Sequence, residues 1–530
     1  MQIAQIVSIN RALLTLHAYC HKNNFISFLC HKIILVILVQ KGLNETKFKN
    51  REEIMLNKRK FYINGLWDDP STPDDFHVID PSTEEACAVI SLGSTKDADK
   101  AIHAAKVAFQ TWKTILPHER LGFVEKILEI YEKRSSDMAK TISMEMGAPI
   151  DMALNAQTAT GSSHIRNFIK AYKEFSFQEV LIKGNDQAIL HYDPIGVVGL
   201  ITPWNWPMNQ VTLKVIPALL AGCTVVLKPS EIAPLSAMLF AEILDEAALP
   251  AGVFNLINGD GAHVGAYLSA HPDLEMISFT GSTKAGKDIS KNASNTLKRV
   301  CLELGGKGAN IIFADADTDA IQRGVRHCFY NSGQSCNAPT RMLVEQSIYE
   351  IAIKTAKDIA EKTKVGPNYQ AGNHIGPVVS KQQYDKIQNL IQSGIDEGAT
   401  LVAGGTGLPI GMERGYYVRP TVFAHVKPHM RIFREEIFGP VLSILPFHTE
   451  DEAIALANDT EYGLTNYIQS QDRNKCRRIA AQVRSGMVEV NGHGLPKGSY
   501  FGGVKFSGRA REGGHWGIKE FLDTKAISYW

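Results

Sequence analysis

Three stretches of the 530-residue chain set reactive side chains where chemistry needs them. In Asn331-Ser332-Gly333-Gln334-Ser335-Cys336-Asn337-Ala338-Pro339-Thr340-Arg341 a single cysteine follows a Gly-Gln turn among small and polar residues. A glycine there lets the backbone approach closely and presents the thiol, which suits a nucleophile. On residue type alone an ordinary half-buried cysteine is the commoner case. In Glu303-Leu304-Gly305-Gly306-Lys307 a carboxylate ends an apolar run beside two glycines, a place where partial desolvation makes a general base. In Thr202-Pro203-Trp204-Asn205-Trp206-Pro207 two prolines and two tryptophans brace one asparagine. Its amide can donate to an oxyanion, or can simply cap a helix.

A second set suits a bound nucleotide. Lys228-Pro229-Ser230-Glu231 offers a lysine and a carboxylate, which fit vicinal ribose hydroxyls; standing alone it would read as a solvated loop pair. Gly281-Ser282-Thr283-Lys284-Ala285-Gly286 opens a helix, whose free N–H groups favour a phosphate. Gly259-Asp260-Gly261-Ala262-His263-Val264-Gly265 is a weak dinucleotide fingerprint, with one residue too many before its last glycine. Glu435-Glu436-Ile437-Phe438-Gly439-Pro440 puts a carboxylate and an aromatic ring on a sharp turn.

These groups need strand ends to hold them. From residue 196 short apolar stretches (197–201, 224–227, 254–257, 276–280, 300–304) alternate with helical ones (209–220, 234–248, 262–270, 283–292). That alternation predicts a parallel, doubly wound α/β sheet, whose ligands sit at the carboxyl ends of the strands. A second α/β series runs through 309–313, 318–330, 341–344 and 349–364, with loop-rich stretches to residue 501. Ahead of both, helical spacing covers 95–112, 118–145 and 152–171, and 175–192 alternates as strands outside the main sheet.

Asn205, Lys228, Gly281, Glu303, Cys336 and the Glu436-Ile437-Phe438-Gly439-Pro440 run occur in an order that closely resembles the aldehyde dehydrogenase superfamily, from about residue 61 to the C-terminus. The resemblance implies a Rossmann-like dinucleotide-binding domain (55–172 and 195–305), an α/β catalytic domain (306–505) and a small β-flap for oligomerisation (173–194 and 520–530), building a homodimer or homotetramer. It implies Cys336 as nucleophile, Glu303 as general base, Asn205 with the Cys336 backbone N–H as oxyanion hole, and Lys214 as a supporting lysine. For the cofactor it implies Lys228 and Glu231 on the adenosine ribose, Ser282 and Gly281 at the pyrophosphate, and Glu436 and Phe438 at the nicotinamide ribose and ring. Ile201, Thr202, Pro203, Trp204, Ser230, Gly261, Gly265, Phe279 and Leu304 complete that bed. Glu512 matches an accessory carboxylate that relays protons.

The implied reaction is NAD-dependent oxidation of a small-molecule aldehyde to the acid through a thiohemiacetal and thioester on Cys336, with Glu303 activating water. A free thiol ionises near ~8.5, so local lowering or base assistance is expected. Glu231 repels a 2′-phosphate, which favours NAD over NADP while leaving NADP possible. A CoA-acylating semialdehyde dehydrogenase is the alternative, though such enzymes typically lack the Glu303 equivalent. A non-catalytic use of the fold would have lost the nucleophile or the base, and both are here. Two departures stand out: Ala510 where the family usually has glycine, and Pro339-Thr340 after the nucleophile. Gln210 and Leu213 are placed to line the tunnel mouth, and neither selects a charged substrate.

Composition narrows the class further. With 56 basic and 55 acidic residues the formal net charge is +1, without the basic stripe of a nucleic-acid binder. Eight scattered cysteines without paired spacing indicate reduced thiols and a cytoplasmic protein. Cys20-His21 and Cys30-His31 fit no zinc module, so no metal is expected. The apolar run 33–39 is far short of the ~20 residues that span a bilayer, so no membrane partner is expected either. Residues 1–54 read as an over-extended frame, with translation expected to start at Met55.

Overall fold

The computed structural model describes residues 55–528, without the side chains of residues 185 and 186. The expectations about 1–54, including Cys20, Cys30 and the over-extended frame, lie outside the described residues. So does the last part of the expected flap, residues 529–530.

The chain enters through a hairpin, Phe61–Ile63 against Leu66–Asp68. Its Asn64-Gly65 turn has both φ angles positive, 53° and 77°, the primed geometry that matches strand twist. The hairpin joins a seven-stranded sheet as its antiparallel edge. Inward from it run Phe254–Leu256, Thr224–Lys228, Val197–Ile201, Met276–Thr280 and Arg299–Glu303, all parallel. Four of these strands are buried along their whole length, as a parallel sheet covered on both faces requires. Alternate side chains feed two apolar layers: Val198, Leu200, Val225 and Leu227 on one face, Val197, Ile201 and Val226 on the other.

A second seven-stranded sheet follows the order Thr400–Ala403, Thr421–Ala424, Val441–Phe447, Arg341–Glu345, Ala309–Ile312, Thr465–Gln469, Met487–Val490. Only its first strand is antiparallel. Two smaller sheets stand apart. Leu56–Lys58, Glu85–Ser91 and Asp75–Asp80 form one, and Leu522–Ser528, Asn185–Pro194 and Gln178–Ile182 form the other. The fold class is therefore α/β, as the strand–helix alternation predicted.

Three local expectations change. The helix expected over 118–145 is two helices, Pro117–Lys133 and Ser135–Met146. The break falls at Arg134, which leaves helical geometry at φ −95°, ψ 13° and sends its guanidinium to Glu242 and Glu246. The stretch expected to be loop-rich, up to residue 501, contains five of the seven strands of the second sheet and the helix Lys381–Asp396. Strands of four to seven residues separated by long connections leave little periodic signal. The third change is at Gly259–Gly265, where the surplus residue is absorbed as a π-turn over Gly261–Gly265 before the α-helix Ala266–Ala270. Among the described residues, no helix is long and apolar enough to cross a membrane.

Candidate active site

The loop carrying Cys336 is strained and heavily tied down. Asn331, Ser332 and Gly333 adopt positive φ in succession (54°, 55° and 73°), and two of the three carry side chains that disfavour it. The Asn331 amide donates to the Asn205 and Gln334 carbonyls at 3.0 and 3.2 Å, and the Ser332 hydroxyl to the Gly376 carbonyl at 2.8 Å. The Val379 N–H donates to the Gln334 side chain at 2.9 Å. These bonds hold the half-buried Cys336 at the loop's far end. Gly306 makes the seat possible, since a Cβ there would stand 2.2 Å from the Cys336 carbonyl oxygen.

Asn205 follows the strand Val197–Ile201 and precedes the helix Pro207–Ala221. It is 4 % exposed, and its amide donates one proton to the Gln334 carbonyl at 3.0 Å, leaving the second for a developing oxyanion. The Gln157 amide donates to the Asn205 carbonyl at 3.1 Å and to Asn331 at 3.2 Å. Next to Asn205, the Trp206 indole donates to the Ser335 hydroxyl at 2.8 Å, beside the cysteine.

Glu303 ends the edge strand Arg299–Glu303 and is 3 % exposed, with neither carboxylate oxygen hydrogen-bonded. A hairpin-like strap closes over it. Phe501 and Glu512 exchange backbone bonds at 2.6 and 2.8 Å, the Leu304 N–H donates to the Ser507 carbonyl at 2.9 Å, and the Ala510 N–H to the Leu302 carbonyl at 3.3 Å. A Cβ at Gly502 would stand 3.0 Å from a Glu303 carboxylate oxygen. Burial, and then the nearby Glu512 carboxylate, push the Glu303 carboxyl well above the usual range, against the pull of Lys214 and Arg511. Burial, then Glu303 and Glu436, likewise push the Cys336 thiol up; its own N–H and that of Asn337 oppose this. The expected lowering of the thiol does not appear. Of the two expected alternatives, base assistance is the one this direction agrees with.

The other expected site residues fall into three places. Lys214 is buried on the helix Pro207–Ala221, donating to the Ser278 hydroxyl at 3.0 Å and paired with the Glu512 carboxylate. At the Glu435–Pro440 turn, Glu436 accepts the Gly306 N–H at 2.7 Å, and a Cβ at Gly305 would stand 2.4 Å from its other oxygen. Phe438, at φ 61°, meets Trp204 edge to face at 5.4 Å. Leu304 and Phe279 are buried below, and the Gly281 N–H donates to the Glu303 carbonyl at 3.0 Å. Ser282 caps the helix Thr283–Ala293 by accepting the Ala285 N–H at 3.2 Å. Ile201 ends its strand, the Thr202 N–H donates to the Lys228 carbonyl at 3.1 Å, and Pro203 leads to Trp204.

The third place is the Lys228 corner. The buried Lys228 ammonium donates to the Gly259 and Pro229 carbonyls at 2.6 and 3.0 Å and lies 3.4 Å from Glu231. Burial lowers its pKa, and Glu231 and Asp260 pull the other way. Ser230 accepts the Ile232 N–H at 3.3 Å. A Cβ at Gly261 would meet nothing within 4 Å, and one at Gly265 would make only ordinary contacts, 3.5 Å from the Asp260 carbonyl oxygen and 3.8 Å from the Lys228 stem, so the floor beside Lys228 is open. The contacts of this corner and those of Cys336 form separate groups.

Two glutamines escaped sequence reasoning. Gln157 lies in a π-turn over Ala153–Thr158, inside what reads as ordinary helix. Gln383 donates to the Ile437 and Phe438 carbonyls at 3.2 and 2.9 Å and so holds the Phe438 turn. Neither sits in a motif, and Gln383 lies in the polar run Lys381–Lys386, where nothing in the sequence sets it apart.

This α/β architecture, with a seated cysteine facing a buried carboxylate, has named counterparts. The aldehyde dehydrogenase family model matches residues 67–527, and the chain belongs to that family. It is 47% identical to a 3-succinoylsemialdehyde-pyridine dehydrogenase of a Pseudomonas species, over 89% of this chain and 99% of the relative. A crystal structure of an aldehyde dehydrogenase from Bartonella henselae is 92% identical, with TM-score 0.90 over 90% of this chain and 100% of that one. A cysteine-to-alanine mutant of aldehyde dehydrogenase C from Pseudomonas syringae, solved with NAD+ and octanal, is 45% identical, with TM-score 0.87 over 89% and 96% of the two chains.

Proposed function

We propose that the chain oxidises an aldehyde to its carboxylic acid with NAD, through a covalent intermediate on Cys336. The observation that carries this is the buried Glu303 carboxyl, whose two oxygens have no hydrogen-bond partner and whose charge acts on the Cys336 thiol. Cys336 attacks the carbonyl carbon, its thiol proton passing to the ionised Glu303 carboxylate and on to solvent, and the oxyanion is met by the second Asn205 amide proton and the Cys336 N–H. NAD, when bound, supplies the hydride acceptor. Loss of hydride leaves a thioester on Cys336. Glu303, deprotonated, then takes a proton from water, whose oxygen attacks the thioester and frees the acid and the thiol.

The residues present fit NAD. Lys228 and Glu231 suit the adenosine ribose, the open floor at Gly261 and Gly265 admits the nucleotide, and the N–H groups around Ser282 suit its phosphates. Glu436 and Phe438 complete the nicotinamide end, and Lys214 with Glu512 forms the charged floor behind Glu303. The NAD+ bound to the Pseudomonas syringae enzyme supports the same assignment.

The tilted Trp206 and Tyr330 rings, 6.0 Å apart beside Ser335, offer a flat apolar approach to the thiol. An aldehyde with an aromatic or long apolar body suits it, as the names of the pyridine-semialdehyde and octanal relatives support. The strand Gln178–Ile182, exposed along its length with Val180 50 %, Leu181 41 % and Ile182 62 % open, supports assembly into a homodimer or homotetramer in the reducing cytoplasm.

NADH formation at a panel of aldehydes, with and without CoA, tests the reading. Turnover by the wild type, its loss in Cys336→Ala, and no acyl-CoA product are expected. Acyl-CoA formation would favour the acylating alternative, and full turnover by Cys336→Ala would end the mechanism.

A further inference from the structure

Two charged groups beside the Lys228 corner take no part in the reading above. Asp260 directly follows Gly259, whose carbonyl holds the Lys228 ammonium, and its charge acts on Lys228 in the same sense as that of Glu231. Asp260 in turn accepts the His263 N–H at 2.7 Å through one oxygen and lies 2.6 Å from the His263 ring Nδ1 through the other. The imidazole is 83% exposed and Asp260 30%, at the rim of the open floor formed by Gly261 and Gly265. The rim thus carries one buried ammonium, two carboxylates, and an imidazole that is either charged or neutral.

Resting on the NAD reading, we propose that His263 sets how strongly this rim refuses a 2′-phosphate on the adenosine ribose, by cancelling or exposing the charge of Asp260. With His263 protonated, two cations balance two carboxylates. Once the imidazole loses its proton, one carboxylate stands uncompensated and faces the ribose together with Glu231. A 2′-phosphate then meets net negative charge, whereas the ribose hydroxyls of NAD still find acceptors.

Five other charged groups lie around His263 and the corner beside it. They are Asp74, Asp260, Glu231 and Lys228, with Asp99 across the helix Thr95–Trp112, where it accepts from the Tyr267 hydroxyl. His271 lies 3.3 Å from Asp99. Asp260 raises the His263 pKa, so the charged form persists to higher pH than in a free imidazole. Discrimination against the phosphate therefore grows as pH rises through that titration.

The test is calorimetric titration of the purified full chain with NAD+ and with NADP+ from about pH 6 to about pH 9, reading the ratio of the two Kd values. For the wild type the ratio of NADP+ to NAD+ Kd is expected to climb about fivefold, the size of one partly screened unit charge. His263→Gln should hold the ratio at its high end across the range, and Asp260→Asn should hold it low. Ionisation of the 2′-phosphate itself is common to all three proteins, and His271 is intact in all three. The same climb in His263→Gln as in the wild type would overturn the proposal, as would NADP+ binding too weak to measure even at the acid end. If the wild type bound no NAD+, the cofactor reading would fall and the proposal with it.

Discussion

Gly333 and Gly439 press backbone to backbone: a Cβ at Gly333 would stand 2.0 Å from the Gly439 carbonyl oxygen. The loop that seats Cys336 and the turn that carries Glu436 and Phe438 are thereby locked together, although about a hundred residues separate them. Gly333→Ala has no neighbour that can yield, and at φ 73° it is strained as well. The variant is expected to lose about 2 kcal/mol or more of stability and most of its turnover. Urea unfolding and NADH formation check both; near-native values for each would show the contact to be soft.

Removing the Asn205 amide, the proposed oxyanion donor, is expected to act on chemistry. Asn205→Ala should lower kcat about a hundredfold with a small change in KM. Gln157 touches Asn205 only through its carbonyl and is a positioning residue, so Gln157→Ala should cost less, about tenfold, and mostly in kcat. Steady-state kinetics of the two variants settle the ranking, and a larger loss in Gln157→Ala would reverse the roles.

The raised Glu303 pKa predicts an acid limb. Below that pKa the carboxyl cannot accept a proton from water, so hydrolysis rises with pH across it. Glu303→Gln should abolish the limb and trap the thioester, seen as a burst of NADH near one per subunit followed by arrest. The sign for stability is the opposite. A carboxyl raised in the folded state contributes stability that is present below the unfolded value and lost as pH rises through the folded one. Glu303→Gln should therefore gain on the wild type as pH increases.

Lys214 balances two buried carboxyls, Glu512 by direct pairing and Glu303 through space. Lys214→Met leaves Glu512 without its counter-charge and should cost about 3–5 kcal/mol. It should also move the acid limb of turnover to higher pH. Adding Glu512→Gln is expected to restore most of the stability, which thermal unfolding of the single and double variants measures.

The exposed apolar strand predicts an association state. Val180→Lys with Ile182→Lys places two charges on the open face of Gln178–Ile182. Light scattering after size-exclusion chromatography is expected to show a smaller particle than the wild type. An unchanged mass would place the interface elsewhere.

The sequence was most legible where the signal is local. The runs at Val197–Ile201 and Met276–Thr280 carry their strand character in consecutive apolar residues, and the Asn64-Gly65 pair carries its turn in backbone preference alone. It was least legible where tertiary contacts override local pattern. The periodic pattern runs through Arg134, where the helix breaks and the side chain pairs with Glu242 and Glu246 of another helix. The strands beyond Lys364 are short and far apart, and only their neighbours make them a sheet.

Among the site residues, Asn205, Glu303, Cys336 and Glu436 stand out in the sequence because each follows an apolar strand or sits on a glycine turn. Residue type and order alone determined which groups are there and the family to which the chain belongs. Only the tertiary structure decided their state. Burial pushes the Glu303 carboxyl and the Cys336 thiol up, under the 501–512 strap at the one and among the Gly306 and Gly333 contacts of the cysteine loop at the other. Desolvation depends on what covers a group, and what covers these two comes from segments that no local pattern connects.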